Sequence, residues 1–222
     1  MNLIDVRNRM VDSQVRTSDV TDLRLLGAML ALPRELFVPQ DRAALAYSDV
    51  EIPVRDARGE QPARRLLTPR VLAKLIQALE IRPEDRALVV GCATGYGAAI
   101  AAQLAAEAVA LDEDKGLSGF AAKALAAAGV RNVSVVSGPL PQGWPALGPY
   151  DVIVVEGATE VAPSDLCGQL AERGRLALIE GRGPSGRAML YRSAGGVVSG
   201  RPVFNAAAAV LPGFAETPSF VF

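Results

Sequence analysis

The segment A-L-V-V-G-C-A-T-G-Y-G (residues 87–97) carries the clearest structural signal in the sequence. An apolar run ends at Gly91, a short turn follows, and an alanine-rich run continues beyond Gly97. This pattern predicts a buried strand, a glycine-containing turn and a helix. Such a turn lets a ligand approach the backbone and meet the free N–H groups at the helix N-terminus.

Strand and helix patterns alternate on both sides of this turn. The predicted strands are 86–91, 108–112, 133–137, 151–156 and 175–180, and the predicted helices are 96–105, 117–128 and 163–171. This alternation predicts a mostly parallel sheet with right-handed crossovers. Two later apolar runs, 188–192 and 203–210, are expected to finish the sheet as antiparallel edge strands. An apolar end, S-F-V-F (219–222), follows them.

The N-terminal part has a different pattern. Apolar residues recur at helical spacing over the first 50 positions, and the polar stretch 51–65 is broken by proline and glycine, which predicts a surface loop. Thr68 followed by Pro69 is a helix start signal, with Thr68 as the N-cap. We therefore expect a single α/β domain over 1–222, in which 1–65 is a helical extension with a loop and 66–222 is a Rossmann-like core.

Composition narrows the chemistry. The chain has 222 residues, 50% of them hydrophobic, and its 23 basic and 24 acidic residues leave a net charge of -1. We therefore expect neither nucleic acid nor a membrane as partner, and the apolar run 87–111 is too interrupted by glycine, Gln103 and Glu107 to span a bilayer. The chain has no histidine, which excludes catalytic triads and H-E-x-x-H zinc sites, and no metal site is predicted. The two cysteines, Cys92 and Cys167, lie far apart in apolar sequence, which indicates buried thiols and a reducing cytoplasm.

Asp112 stands at the predicted end of the strand after the turn, where a carboxylate can accept the hydroxyls of a ribose. A strand-end acid is seldom a core residue, so we expect Asp112→Ala to weaken ligand binding and spare the fold. The glycines do not fit G-x-G-x-x-G in either register, and Gly91, Ala93 and Gly95 form G-x-A-x-G instead. This favours S-adenosylmethionine; a dinucleotide and an ordinary turn without a ligand remain open.

Further segments resemble the protein-L-isoaspartate O-methyltransferase family nearly end to end. The similar segments are M-V-D-S-Q-V (10–15), A-L-P-R-E-L-F-V-P (31–39), A-Y-S-D (46–49), the 87–97 turn, P-Y-D-V-I-V-V (149–155) and Q-L-A-E-R-G-R-L (169–176). The resemblance implies a cytoplasmic, monomeric enzyme that transfers a methyl group from S-adenosylmethionine to an isoaspartyl carboxylate of a damaged protein or peptide. A carboxylate acceptor is already ionised at neutral pH, so no general base is required.

The turn, the strand ends and the resemblance together indicate which residues form the site. The candidate cofactor-binding residues are Gly91, Cys92, Ala93, Thr94, Gly95, Asp112, Glu113, Gly138 and Leu140. The candidate catalytic residues are Thr68, whose alternative role is the helix cap, and Glu156, which ends the fourth core strand.

The chain departs from the family pattern at three positions. Val89 replaces an acid, Pro139 replaces the acid of a G-D pair, and Leu67 replaces a Ser or Thr. These departures leave open a non-catalytic member that acts as a binding or assembly module. A nucleic-acid methyltransferase is less well supported, because the fourth core strand ends in E-G-A-T (156–159).

Overall fold

A computed structural model describes residues 2–59 and 62–216. Its centre is a seven-stranded sheet with the order β5-β4-β3-β6-β7-β8-β9. The strands of this sheet are β3 (Arg86–Val90), β4 (Glu107–Asp112), β5 (Val133–Ser137), β6 (Tyr150–Thr159), β7 (Leu170–Glu180), β8 (Arg187–Ala194) and β9 (Val197–Asn205). The first five pair in parallel, and β8 and β9 are antiparallel. The predicted mostly parallel α/β fold with antiparallel C-terminal strands is confirmed.

The described part of the chain has six α-helices, and the last four of them contact strands of the central sheet. The six are α1 (Leu3–Met10), α2 (Leu23–Ala31), α3 (Pro69–Ala78), α4 (Tyr96–Leu104), α5 (Lys115–Ala127) and α6 (Ser164–Cys167). Side-chain caps fix where several of them begin: Asp22 caps α2, and Asp114 accepts the N–H groups of Gly116 and Leu117 at the start of α5. A capping oxygen satisfies amides that have no partner within the helix.

The N-terminal segment shares one apolar core with the sheet. Met10, Leu25 and Phe37 are buried in the same cluster as residues of α3, α4 and β3. Arg24 ties α2 to the rest of the chain by donating to the carbonyl oxygens of Ile81 and Leu104. The N-terminal segment therefore packs against α3 and α4 and through them shares the core of the sheet.

The stretch predicted as a surface loop contains a hairpin. β1 (Ile52–Arg55) pairs antiparallel with β2 (Arg64–Leu66) in a separate two-stranded sheet, with Ile52 opposite Leu66. The loop prediction was wrong there because Arg64 and Leu66 alternate with exposed Arg65 and point inward. A buried arginine in a polar, proline-containing stretch gives no periodicity that marks it as inward-facing.

Two elements of the C-terminal half are present with bounds that differ from the predicted ones. The helix expected over 163–171 ends at Cys167, because Tyr150 donates to the carbonyl of Gln169 and thereby draws the chain into β7. The strand expected over 203–210 starts earlier, at Val197, because Gly195 and Gly196 both have positive φ and reverse the chain after β8. The apolar end at 219–222 lies outside the described residues.

Candidate functional site

The turn between β3 and α4 is tight and internally hydrogen-bonded. The amides of Gly91 and Cys92 both donate to the carbonyl of Leu111 in β4, and the amide of Gly95 donates to the carbonyl of Cys92. Gly91 and Gly95 have φ of +71° and +93°, which strains any residue with a side chain. A Cβ at Gly95 would also stand 3.1 Å from the Cβ of Ala121. These glycines are therefore required by the turn itself.

Asp112 ends β4 beside this turn, as the sequence predicts, but its side chain is fully buried. The amide of Ala93 donates to Oδ2 at 2.8 Å, and the amide of Asp114 donates to Oδ1 at 3.1 Å. The carboxylate thus fixes both the turn and the start of the β4–α5 connection.

Arg64 supplies the other two hydrogen-bond donors to Asp112. Its guanidinium donates to Oδ1 at 2.9 Å and to Oδ2 at 2.8 Å, and it donates to the carbonyl of Gly91 at 3.2 Å. The two side chains are 2% and 0% exposed, so this is a buried bidentate ion pair. No pattern in the sequence indicated Arg64, because its partner lies in β4, with α3, β3 and α4 between them in the chain.

The geometry does not fit a ribose at Asp112 as it stands. A carboxylate has about four lone-pair sites, and the described donors are the two from Arg64 plus two backbone amides. The turn is covered as well, since a Cβ at Gly91 would lie 2.8 Å from Leu211 Cδ1 and 3.3 Å from the Arg64 guanidinium. Arg64 and Leu211 therefore cover the β3–α4 turn and the end of β4 in this structure.

The remaining residues of the turn are also buried. Thr94 donates its hydroxyl to the carbonyl of Phe37 at 2.6 Å, which ties the turn to the N-terminal segment. Cys92 is fully buried, and burial raises the pKa of its thiol well above the usual value. The thiol is therefore kept in its neutral form at pH 7.

Glu113, Gly138 and Leu140 lie around the same sheet edge. The amide of Gly138 donates to the carbonyl of Asp112, and Leu140 is buried in the apolar cluster on that side of the sheet. Glu113 lines a cavity of about 440 Å³, together with Pro62, Arg182, Val210, Leu211, Pro212, Gly213 and Ala215. Partial burial raises the pKa of Glu113.

Thr68 caps α3. Its hydroxyl oxygen accepts the amide N–H of Val71 at 3.4 Å, so the capping role predicted as its alternative is present in the structure. Thr68 also lines a cavity of about 400 Å³ with Arg70, Lys74 and Phe204 among the other lining residues. The ammonium of Lys74 lies 4.7 Å from the centre of the Phe204 ring. An acceptor at Thr68 would thus meet a basic, partly aromatic surface.

Glu156 is buried rather than solvated. It lies where the pairing of β6 with β7 is irregular, and its side chain is 3% exposed. Burial raises its pKa to about 8, and the neighbouring charge of Arg34 opposes this increase only partly. The carboxyl is therefore protonated at neutral pH.

Arg34, from the P-R-E-L-F-V-P string, occupies the space beside Glu156. Its guanidinium stacks 4.5 Å from the ring centre of Tyr96, and it donates to the carbonyl of Leu67 at 2.9 Å. Its other two nitrogens, the hydroxyl of Tyr96 and Oε1 of Glu156 are buried without a hydrogen-bond partner among the described residues. The sequence string pointed to a family but gave no role for Arg34.

The three departures from the family pattern take different structural places. Val89 is fully buried within β3, Leu67 is 3% exposed, and Pro139 is exposed beside the turn that follows β5. Leu67 contributes its carbonyl rather than its side chain to the polar cluster at Arg34.

Over residues 2–59 and 62–216, the structure groups no three potential metal-binding side chains of the types His, Cys, Asp and Glu. Within the same ranges, the helices are too short or too polar to cross a bilayer.

Comparison with known proteins decides the family. Residues 6–201 match the family model of protein-L-isoaspartate(D-aspartate) O-methyltransferase. The chain belongs to this family. The protein-L-isoaspartate O-methyltransferase of Methanoculleus marisnigri is 38% identical over 170 residues, covering 77% of this chain and 74% of the relative. The protein-L-isoaspartate O-methyltransferase 1 of Rhodopseudomonas palustris is 36% identical over 184 residues, covering 83% of this chain and 73% of the relative.

Solved structures of the family share the fold. One protein-L-isoaspartate O-methyltransferase superimposes with a TM-score of 0.80 at 22% identity, over 96% of this chain and 66% of that one. A second, from Plasmodium falciparum, superimposes with a TM-score of 0.75 at 18% identity over 95% of this chain, and it is described as a complex with S-adenosyl-L-homocysteine. At these identities the match shows the fold.

Proposed function

We propose that the protein transfers a methyl group from S-adenosylmethionine to the carboxylate of an isoaspartyl residue in a protein or peptide. The observation that carries the proposal is the family match over 6–201. The strand, turn and helix at β3 and α4, with Asp112 at the end of the adjacent β4, supply the architecture that such a cofactor uses.

The residues present are consistent with this choice of acceptor. The chain contains no histidine, and a carboxylate acceptor is ionised at neutral pH without a general base. Protein groups are needed chiefly to position the acceptor and to exclude water. The neutral form of Glu156 removes one source of repulsion toward an anionic acceptor.

The cellular setting belongs to the same proposal. We infer a monomer in the cytoplasm that repairs damaged protein, with neither nucleic acid nor a membrane as partner. The near-neutral net charge of -1 supports the absence of nucleic acid. The proposed cofactor-binding residues are those around the turn and the β4 end, and Thr68 and Glu156 remain the proposed acceptor-side residues.

The non-catalytic alternative gains nothing from the relatives, which carry the name of an enzyme. The experiment that separates the two is release of base-labile methanol from an isoaspartyl peptide supplied with methyl-labelled S-adenosylmethionine. The control is the same peptide with an ordinary aspartyl residue. Release from the isoaspartyl peptide alone is expected; equal background from both peptides would contradict the proposal.

A further inference from the structure

We propose that the β1–β2 hairpin is an autoinhibitory strap, in which Arg64 holds the hydrogen-bonding positions on Asp112 that the cofactor ribose requires. The inference rests on the proposed function only in taking a nucleoside cofactor to bind at Asp112. Cofactor binding then requires the guanidinium of Arg64 to leave the carboxylate.

The first observation is the saturation of Asp112. Two N–H groups of Arg64 and the amides of Ala93 and Asp114 distribute over its two oxygens, two donors to each. The two amides belong to the backbone of the β3–α4 turn and of the β4–α5 connection, so they cannot leave Asp112 without a change in the backbone there. Arg64 belongs to the hairpin. It is therefore the donor that can be exchanged for ribose hydroxyls without unfolding the turn.

The second observation is that Arg64 also covers the turn. Its guanidinium donates to the carbonyl of Gly91 and stands 3.3 Å from the position of a Cβ on that glycine. The absence of a Cβ at Gly91 is what admits close approach to this backbone. In the structure the group that makes the approach is a side chain of the protein itself.

A second ion pair fastens the same hairpin. Arg55 lies opposite Arg64 in the β1–β2 register, and its Nε is 2.9 Å from Oδ2 of Asp114. Arg55 also donates to the carbonyl of Pro62 and thereby closes the hairpin on itself. The two opposed residues Arg55 and Arg64, called the rung below, thus carry two cations. Arg64 is paired with Asp112, which ends β4, and Arg55 is paired with Asp114, which follows β4.

The construction of the hairpin permits this rung to move. Its strands have four and three residues and form a sheet separate from the central one. Isolated two-stranded sheets are marginally stable, so their position depends on side-chain contacts. The Ile52–Leu66 pair at the base is buried and anchors the hairpin, and the Arg55–Arg64 rung is joined to the β4 end by the ion pairs. Release of these pairs frees the rung while the base stays in place.

The test compares the affinity for S-adenosylhomocysteine, measured by calorimetric titration, in the parent, Arg64→Gln, Arg55→Gln and Arg192→Gln. The last variant is the matched control, because it makes the same change of charge at an exposed ion pair with Glu80. We expect Arg64→Gln to bind at least tenfold more tightly than the parent. Arg55→Gln should bind more tightly by a smaller factor, and Arg192→Gln should match the parent.

Hydrogen exchange provides a second readout that does not depend on any variant folding. An ordinary ligand protects the segments around its site. If the cofactor displaces the Arg55–Arg64 end of the hairpin, the amides of Val54, Arg55 and Arg64 should exchange faster when S-adenosylhomocysteine is added, while those of 91–97 exchange more slowly. Slower exchange of the hairpin on cofactor binding would overturn the inference.

The outcomes separate the strap from the proposed function. Tight binding by Arg64→Gln with weak or undetectable binding by the parent supports both. Binding by the parent that Arg64→Gln fails to improve overturns the strap and leaves the function. Failure of every variant to bind overturns both. If Arg64→Gln does not fold, tighter binding by Arg55→Gln supports the strap and unchanged binding refutes it.

Discussion

Gly97 lies directly against the carboxyl group of Glu156. A Cβ at position 97 would overlap Oε1 of Glu156 far inside van der Waals contact. The absence of a side chain in the first turn of α4 is therefore what admits a buried acid at this end of β6.

Gly97→Ala is expected to destabilise the protein, although alanine is ordinarily the better residue in a helix. The new Cβ forces the buried Glu156 side chain to move, at a cost of about 1 to 3 kcal/mol for overpacking. The control is Gly119→Ala in α5, where nothing lies within 4 Å of the new Cβ. That variant should gain about 0.5 to 1 kcal/mol. Urea unfolding measures both, and a stabilised Gly97→Ala would contradict the contact.

Glu156 should make stability depend on pH. Its pKa is raised from 4.5 to about 8 in the folded protein, so the folded state holds a proton that the unfolded state releases. The resulting stabilisation is complete below about pH 4.5 and is lost as the pH rises toward 8, with a slope of at most about 1.4 kcal/mol per pH unit.

Glu156→Gln removes this titration and keeps the shape of the side chain. The unfolding free energy of the parent, compared with that of Glu156→Gln, should therefore decline between pH 5 and pH 8. Glu84→Gln, at an exposed position, is the control and should run parallel to the parent. A constant difference between the parent and Glu156→Gln over this range would show that Glu156 is ionised throughout.

Asp112→Ala should lower the unfolding free energy by about 3 to 5 kcal/mol, because it leaves the buried guanidinium of Arg64 without its counter-ion. The expectation that Asp112→Ala spares the fold assumed that a strand-end acid lies outside the core, and the full burial of Asp112 contradicts that assumption. Adding Arg64→Leu to Asp112→Ala should recover part of the loss, since both charges are then gone. Chemical denaturation of the two single variants and the double variant supplies the cycle; additive losses would contradict the pair.

Leu67→Ser should increase methanol release from an isoaspartyl peptide, because it restores a hydroxyl where the family usually has one. The variant also places a polar group in a buried position, so some loss of stability is expected. Leu72→Ser, at a buried leucine of α3, is the matched control and should lose stability without gaining activity. Equal release by Leu67→Ser and the parent under saturating cofactor would remove the hydroxyl argument.

Thr68→Val and Thr68→Asn separate the capping role of Thr68 from an acceptor-side role. Valine removes the cap and should cost about 1 kcal/mol, whereas asparagine is a good N-cap and should preserve stability. If the hydroxyl aligns the acceptor, Thr68→Asn keeps the parent melting temperature but loses methanol release. Parent-like release by Thr68→Asn would leave Thr68 as a cap alone.

Local signals in the sequence predicted most of the fold. The β3 strand, the turn and α4 were predicted within about one residue of their observed ends, because apolar runs and glycines are read over short distances. The prediction failed where distant contacts decide the structure. The helix expected over 163–171 is shortened by the pairing of Leu170 with Tyr150, which no local pattern shows.

The candidate site shows the same division. The turn and Asp112 could be located from spacing, yet the closure of the site could not. Arg64 and Asp112 are 48 positions apart in the chain, and Arg64 stands in a stretch whose prolines and charges indicate a loop. The burial of Glu156 depends in turn on Gly97 and Arg34, which lie in two other segments.

The cavity beside Glu113 has a consequence for inhibition. Its wall includes Pro62 from the connection within the hairpin and Leu211 from the segment that covers Gly91, so its shape depends on the docked hairpin. A small molecule that binds in this cavity only while the hairpin is docked would lower the affinity for the cofactor. By reciprocity, the cofactor would lower the affinity for the small molecule by the same factor. Such a compound would compete with the cofactor without resembling a nucleoside. It would not inhibit methyltransferases that lack an arginine at the position of Arg64.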